Sequence, residues 1–433
     1  MNWIKTALVL GATLAQVCAA NWPQLRGPHF NGSSDESGLP ATWSKTENIA
    51  WSVDLPGPSA STPVIWEDRV FLSSTDAQNK NLQVICLDRK TGKTLWQHEG
   101  GVGFNRDDRS NYASPTPATD GKVVIFFFGT GDLHGYDLEG KHLWSKNIQK
   151  EHGDFAFQWT FSSSPLLHNG KVYLQVLQRN SPVHGRGKQG GESFILAFDS
   201  KSGKELWKVA RPSEAVAESL EAFTTPMPFE HNGRKEILIA GGDCLTGHDP
   251  ETGKELWRWG TWNPTKIGHW RLVPSPVAGA GVVLGCGPKG APIYAIKAGG
   301  SGTLDDSAIA WNSAEDRNIS TDVPTPLFYK GDFFVLNEAK RTVARVDPAN
   351  GKAKWTAELP GRAKFEASPT GADGKIYVMN FRGEVSVLDA EKGEVLQTIP
   401  MAEADEDILR STIAVAHKQI FIRTNKKLYC VGK

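Results

Sequence analysis

FDSKSGKELW, residues 198–207, reads as a turn between two strands. An apolar run over residues 194–198 stops at Asp199, a polar cluster carrying Gly203 follows, and Leu206 and Trp207 open the next apolar stretch. That is the composition of a β-hairpin loop. The phrase returns as LDRKTGKTLW (87–96), YDLEGKHLW (136–144), HDPETGKELW (248–257), VDPANGKAKW (346–355) and LDAEKGEVLQ (388–397). The Asp accepts hydrogen bonds from turn amides, and the Gly takes a positive φ at no steric cost while the Lys stays solvated at the tip. A Trp lies four residues past the Gly in every copy but the last, where Gln397 stands. Burying one Trp removes about 150–250 Å² from water, roughly 4–6 kcal/mol gross. Both the repeated Trp and the repeated Asp are therefore expected to be structural.

Around each phrase the grammar is constant. A Ser or Thr with Pro comes first, then a short strand, a turn, a very apolar strand, a third strand ending in the Asp, and a fourth starting at the Trp. The units open at Ser61-Thr62-Pro63, Ser114-Pro115-Thr116-Pro117, Ser164-Pro165, Thr225-Pro226, Ser275-Pro276, Thr325-Pro326, Ser368-Pro369 and Ser411-Thr412. The third carries an insertion at 179–192, expected to be an exposed mobile loop, and the fifth has a degenerate hairpin phrase around 299–307. The eighth holds residues enough for only three strands, whereas a lone strand, IAWSVDL at 49–55, precedes the first unit. If that strand completes the last unit, the chain closes on itself and no edge is left unpaired. Successive Trp positions lie mostly 42 to 54 residues apart. The expected fold is all-β, an eight-bladed β-propeller of four-stranded antiparallel blades closed by an N-terminal strand, forming one domain over residues 21–433.

Lys plus Arg equals Asp plus Glu, 48 of each, so nothing draws the whole molecule to nucleic acid or to an anionic membrane. The one modest helical candidate is 213–223. Lys5, the apolar run 6–15 and the small residues 17–20 read as a signal peptide over residues 1–20. The run is too short to span a bilayer. The mature chain is expected to begin near Asn21 and to work in the periplasm or outside the cell as a monomer. Gln16 and Val17 make Cys18 a poor lipidation site. Of the other cysteines, Cys86 and Cys430 occupy a slot where other units carry Gly135, Ala197, Gly247 or Ala295. Cys244 and Cys286 are left either paired or free. No CxxC spacing points to zinc, and a histidine metal site would have to be assembled across blades.

The repeat, with Ser164-Pro165, GKVY at 170–173 and FDSKSGKELW at 198–207 as one instance, resembles the PQQ-like β-propeller family. The resemblance covers nearly the whole mature chain and implies two branches. One is the quinoprotein alcohol and sugar dehydrogenases, which hold pyrroloquinoline quinone with calcium on the propeller axis. The other is cofactor-free binding propellers similar to the BamB subunit of the outer-membrane β-barrel assembly machinery. The chain lacks the vicinal Cys pair often found in the first branch and has little length for the insertions that roof the quinone, so no catalytic residue carries over.

In a propeller the link from one blade's outer strand to the next blade's inner strand ends at the mouth of the central channel. Here those positions precede each Ser-Pro, and they diverge where the rest of the repeat converges. They comprise Asn111 and Tyr112; Gln158, Trp159 and Phe161; Glu221 and Phe223; His269, Trp270 and Arg271; Thr321 and Asp322; Phe365 and Glu366; Leu409 and Arg410. Aromatic platforms flanked by charges of both signs suit a sugar or a peptide. The expected binding set is Tyr112, Trp159, Glu221, Phe223, His269, Trp270, Arg271, Asp322, Glu366 and Arg410. The expected function is a non-catalytic scaffold, without cofactor or metal, that binds a protein or glycan on this face. The alternatives are a quinone- and calcium-dependent dehydrogenase, and a cofactor-free carbohydrate-active enzyme using carboxylates such as Glu221 and Glu366. Asp107, Asp108 and Arg109 read as solvated loop charges.

Overall fold

A computed structural model describes residues 20–104, 107, 109–260 and 262–432. The expected signal peptide with Cys18, and Asp108 of the charged loop, lie outside the described residues, Ala20 excepted. Eight sheets form an eight-bladed propeller, each built on four antiparallel strands that run in chain order in the first seven. The first seven span residues 64–102, 118–147, 166–210, 227–259, 277–312, 327–358 and 370–400. The eighth is built from Ala414–Ala416, Gln419–Arg423 and Lys427–Val431, with Ile49–Asp54 as its outer strand and Trp51 opposite Cys430. Closure by the N-terminal strand is thus as expected. A parallel pairing of Gly302–Thr303 with the outer strand of blade 4 replaces the hairpin that blade 5 lacks.

The hairpin phrase is an inter-blade joint. The indole of each blade lies on the turn Gly of the next: a Cβ on Gly92 would sit 2.7 Å from Trp51, on Gly140 2.5 Å from Trp96, and on Gly203 2.5 Å from Trp144. The same holds for Gly253 on Trp207, Gly351 on Trp311 and Gly393 on Trp355. The indole N–H of Trp51, Trp96, Trp144 and Trp311 donates to a carbonyl of that same turn, at Arg89, Leu138, Ser200 and Pro348. The two exceptions obey the rule. Trp257 faces the blade whose phrase is degenerate and donates instead to Glu236 at 2.6 Å. Gln397 faces blade 8, where no hairpin joins the last two strands because they come from opposite ends of the chain, and its side-chain amide donates to Ala41 O. The small slot lies directly across from the Trp, as in Cys86↔Trp96, Gly135↔Trp144 and Ala197↔Trp207, so Cys86 and Cys430 are small fillers. All four described cysteines are buried and free.

The Ser/Thr before each inner strand forms a belt around the channel. The amides of Thr62, Thr116, Ser164, Thr225, Ser275 and Thr325 each donate to the hydroxyl of the next blade's counterpart at 2.9–3.2 Å. At the opposite end from the blade-to-blade links, residues 20–36 cross the axis. Trp22 pairs with Ile65 of blade 1, and Glu36 accepts from the turn amides of His417 and Lys418 in blade 8. Arg26, fully enclosed, donates to Pro326 O at 2.8 Å and to Pro369 O at 3.4 Å in blades 6 and 7. The strap fills that end of the channel, and burial pushes the Arg26 guanidinium down to about 9.

Three local differences from the sequence reading concern the neighbourhood of the mouth. A five-residue helix, Ile148–His152, follows blade 2, capped by Asn147 accepting from Lys150 N–H at 2.9 Å. The 213–223 candidate shortens to one 3₁₀ turn, Ala217–Leu220. The 179–192 insertion is tied down by backbone pairing of Val183 with Arg186 and by the Arg186 guanidinium on Gln149. No described helix is long and apolar enough to cross a membrane.

Candidate functional site

The mouth is built where the links of blades 2 to 8 converge. Its centre is Arg271, placed by the pairing of Leu272 with Ala222 and by Phe223 N–H donating to Leu272 O at 2.8 Å. The guanidinium sits between two carboxylates at long range, with Nε 3.9 Å from Glu218 and Nη2 3.6 Å from Asp322. Its Nη1 is buried with no hydrogen-bond partner among the described residues. A buried cationic donor left unpaired is costly.

Glu218 also accepts from Trp159 Nε1 at 3.0 Å, while the guanidinium of Arg109 covers the Trp159 ring at 5.2 Å. Arg109 and Asp107 are therefore engaged, not merely solvated: Asp107 accepts from the Thr160 hydroxyl at 2.7 Å. Beyond Arg271, Asp322 accepts from Lys289 N–H at 3.0 Å, and its own N–H donates to the Glu338 carboxylate at 3.2 Å. Burial, then the charges of Asp322 and Glu366, push Glu338 up to about 7. Arg410 donates to Glu366 at 2.7 Å and lies over the Phe381 ring. Trp270 is half-buried, its N–H donating to Ser219 Oγ at 2.8 Å; His269 is exposed.

Of the expected set, Trp159, Arg271, Asp322, Glu366 and Arg410 form the charged and aromatic rim. Tyr112 lines a cleft beside it with Trp159, and Phe223 packs on Phe157 at 5.5 Å. Glu221 is enclosed beneath the rim: it pairs with Arg179 and accepts from Gln158 N–H at 2.9 Å, and burial pushes it up to about 7. Phe161, Thr321, Phe365 and Leu409 are core. With Glu221 enclosed on Arg179 and Glu366 held by Arg410, those two carboxylates are not a free acid–base pair for glycoside cleavage. Sequence reasoning missed Glu218, which lies in the 3₁₀ turn, and Glu338, which follows a middle strand of blade 6; neither precedes a Ser-Pro. Among the described residues one group has metal-ligand spacing, Glu151, His152 and Glu205, and it spans blades 2 and 3. Lys146 already holds Glu151 at 3.1 Å.

The chain is 27% identical over 208 residues to "Alcohol dehydrogenase (quinone), dehydrogenase subunit" of Gluconobacter oxydans, covering 41% of this chain and 25% of that protein. It is 23% identical over 318 residues to "1-butanol dehydrogenase (quinone)" of Thauera butanivorans, covering 66% and 45%. The chain thus spans less than half the length of these relatives. Among solved structures it is similar to a europium-containing methanol dehydrogenase, with TM-score 0.67, 12% identity and coverage of 95% and 98%. It is also similar to BamB from Moraxella catarrhalis, with TM-score 0.59, 14% identity and coverage of 88% and 98%. At these identities the structures speak for the fold alone.

The relatives named as quinone dehydrogenases overturn two expectations, the non-catalytic scaffold and the absence of a cofactor. Both rested on the missing Cys pair and the short chain, features that do not bear on the charge of the axial mouth. The family model described as "Outer membrane protein assembly factor BamB" matches residues 33–181 and 188–432, and the chain belongs to this family of PQQ-like propellers.

Proposed function

We propose that the chain is an exported quinone-dependent dehydrogenase of alcohols, with its cofactor over the channel mouth. The observation that carries this is the buried Arg271 Nη1 without a partner, on a guanidinium whose Nε and Nη2 lie 3.9 and 3.6 Å from Glu218 and Asp322. A quinone bearing carboxylates would offer that donor an anionic acceptor. Arg271 would hold a cofactor carboxylate, and Trp159 and Trp270 supply aromatic faces beside it. Bound there, the quinone supplies a two-electron acceptor that converts an alcohol to an aldehyde and is itself reduced to the quinol.

The chain's own residues do the rest. Arg109 covers the outer face of Trp159, and Glu218 fixes the indole and Arg271 relative to each other. Glu338, pushed up to about 7, holds or releases a proton near neutral pH, as a base for an alcohol hydroxyl must. Among the described residues the mouth has no three ligand atoms within coordinating distance of one another, so no step is assigned to a cation.

The test is the melting temperature and visible absorption of the chain from Asn21 with pyrroloquinoline quinone and calcium, followed by dye reduction with primary alcohols. Binding at a hundredfold excess over Kd stabilises by about 2.7 kcal/mol. Arg271→Met is expected to lose that stabilisation while melting unchanged without cofactor. Unshifted melting of the parent chain, with no dye reduction, would sink the reading.

A further inference from the structure

Glu36, in the strap, is a carboxylate without a cation. It is 6% exposed, and the groups that reach it are backbone N–H donors: Ala20 at 2.5 Å and His417 at 3.0 Å on Oε1, and Lys418 at 2.9 Å on Oε2. It takes part in no ion pair among the described residues. The imidazole of His417 turns its Nε2 to Asn21 Oδ1 at 3.1 Å and is held below its usual value, chiefly by burial. Buried charges are ordinarily paired, so the enclosure of Glu36 calls for a positive group within reach of Oε1.

One is latent at Ala20. The chain is pinned right up to this residue: Trp22 N–H donates to Ile65 O at 2.9 Å, and Asn21 Oδ1 accepts from Glu67 N–H at 2.7 Å, both in blade 1. The nitrogen of Ala20 is thereby fixed on the Glu36 carboxylate. The sequence allows two cuts with small residues where removal of a leader requires them, one after Ala19 with Val17 upstream and one after Ala20 with Cys18 upstream. The structure distinguishes them. A cut after Ala19 places the new amino group on the nitrogen that already faces Glu36, whereas a cut after Ala20 removes that nitrogen with the leader.

We infer that a leader peptidase cuts between Ala19 and Ala20, and that the amino terminus so created is the missing partner of Glu36, clamping the strap to the turn of blade 8. Hydrolysis adds one water across the peptide bond: Ala19 leaves as the carboxylate end of the leader, and the nitrogen of Ala20 becomes an amine that is protonated at neutral pH. An amide donor to Glu36 is thus exchanged for a charged one. The clamp acts on the blade that must be closed by a strand from the other end of the chain. The inference rests on the export part of the proposed function and is independent of the quinone.

Urea denaturation of three chains ending at Lys433 tests it: one beginning at a free Ala20, one acetylated there, and one beginning at Asn21. Acetylation keeps the N–H and removes the charge. The folding equilibrium constant of the free Ala20 chain should exceed that of the other two by at least about fivefold, the most that an exposed ion pair gives. Glu36→Gln should abolish the effect of acetylation. Equal stability of the free and acetylated chains would overturn the inference, as would an acetylation effect that survives Glu36→Gln. Mass analysis of the N-terminus of the full chain, made in a bacterial host, supplies the second arm and should find Ala20. A start at Asn21, or an acylated Cys18, overturns the inference and leaves export standing; a chain retained uncut in the cytoplasm refutes both.

Discussion

Substituting Gly203 by Ala tests whether the hairpin phrase is an inter-blade joint. Gly203 has φ +67°, and an added Cβ would stand 2.5 Å from Trp144 Cδ2 and Cε3. An Ala in that backbone region costs about 1 kcal/mol. Ordinary carbon contacts lie at about 3.5–4.0 Å, so the indole must retreat by roughly 1 Å, and overpacking of that kind costs about 1–3 kcal/mol. The sum is a loss of about 2–4 kcal/mol. Gly170 supplies the control: its φ is +74°, and a Cβ there meets nothing within 4 Å, so Gly170→Ala carries only the backbone part, about 1 kcal/mol. Urea denaturation followed by far-UV circular dichroism compares the two. In a Trp144→Leu background the Gly203→Ala loss should fall to the Gly170→Ala level, because the atom it strikes has gone. Equal losses for the two glycines in the parent chain would refute the joint.

Other consequences follow from the same geometry. In native-state hydrogen exchange the outer strand of blade 7, Val395–Pro400, should open before that of blade 6, Ala353–Glu358, because Gln397 reaches Ala41 where Trp355 packs on Gly393; equal protection would count against the Trp as anchor. Arg26→Met strands the carbonyls of Pro326 and Pro369 in the channel and should lower stability by about 2–5 kcal/mol, read as the urea midpoint; a loss below about 1 kcal/mol would show that the strap holds without it. Burial raises Glu221 from 4.5 to about 7. A raised folded value means stability fully present below pH 4.5 and lost as pH rises through about 7. Glu221→Gln should therefore flatten the decline in melting temperature between about pH 5 and 8, and parallel slopes would reject Glu221 as its source.

Repetition made the fold legible. Trp51, Trp96, Trp144 and their fellows solve one packing problem several times, so their spacing exposes both the blade and the closure. Even the departures carry information once the partner is known. Gln397 marks the blade whose neighbour has no hairpin, and the degenerate phrase near Gly299 explains why Trp257 turns inward to Glu236. What stayed hidden is whatever occurs once. The strap across the channel has no second copy against which Arg26 could be compared, and the short helix after blade 2 is held by tertiary contacts and an Asn147 cap rather than by an amphipathic repeat.

The site divides along the same line. Positions before each Ser-Pro were found because they break the consensus, and they do reach the mouth in several blades. Divergence alone cannot separate a residue facing the channel from one filling a gap between unequal blades, which is why Phe161, Thr321, Phe365 and Leu409 proved to be core and Glu221 a buried support. Glu218 and Glu338 enter from a 3₁₀ turn and from a strand end, outside that register, yet they decide the electrostatics of the mouth. Glu218 couples Trp159 to Arg271, and Glu338 sits beside Asp322 with its proton held near neutral pH. The unmet donor on Arg271 thus arises from three elements with no shared sequence signature. The mouth of this propeller is assembled from the irregular parts of a regular chain, and only the closed ring brings them together.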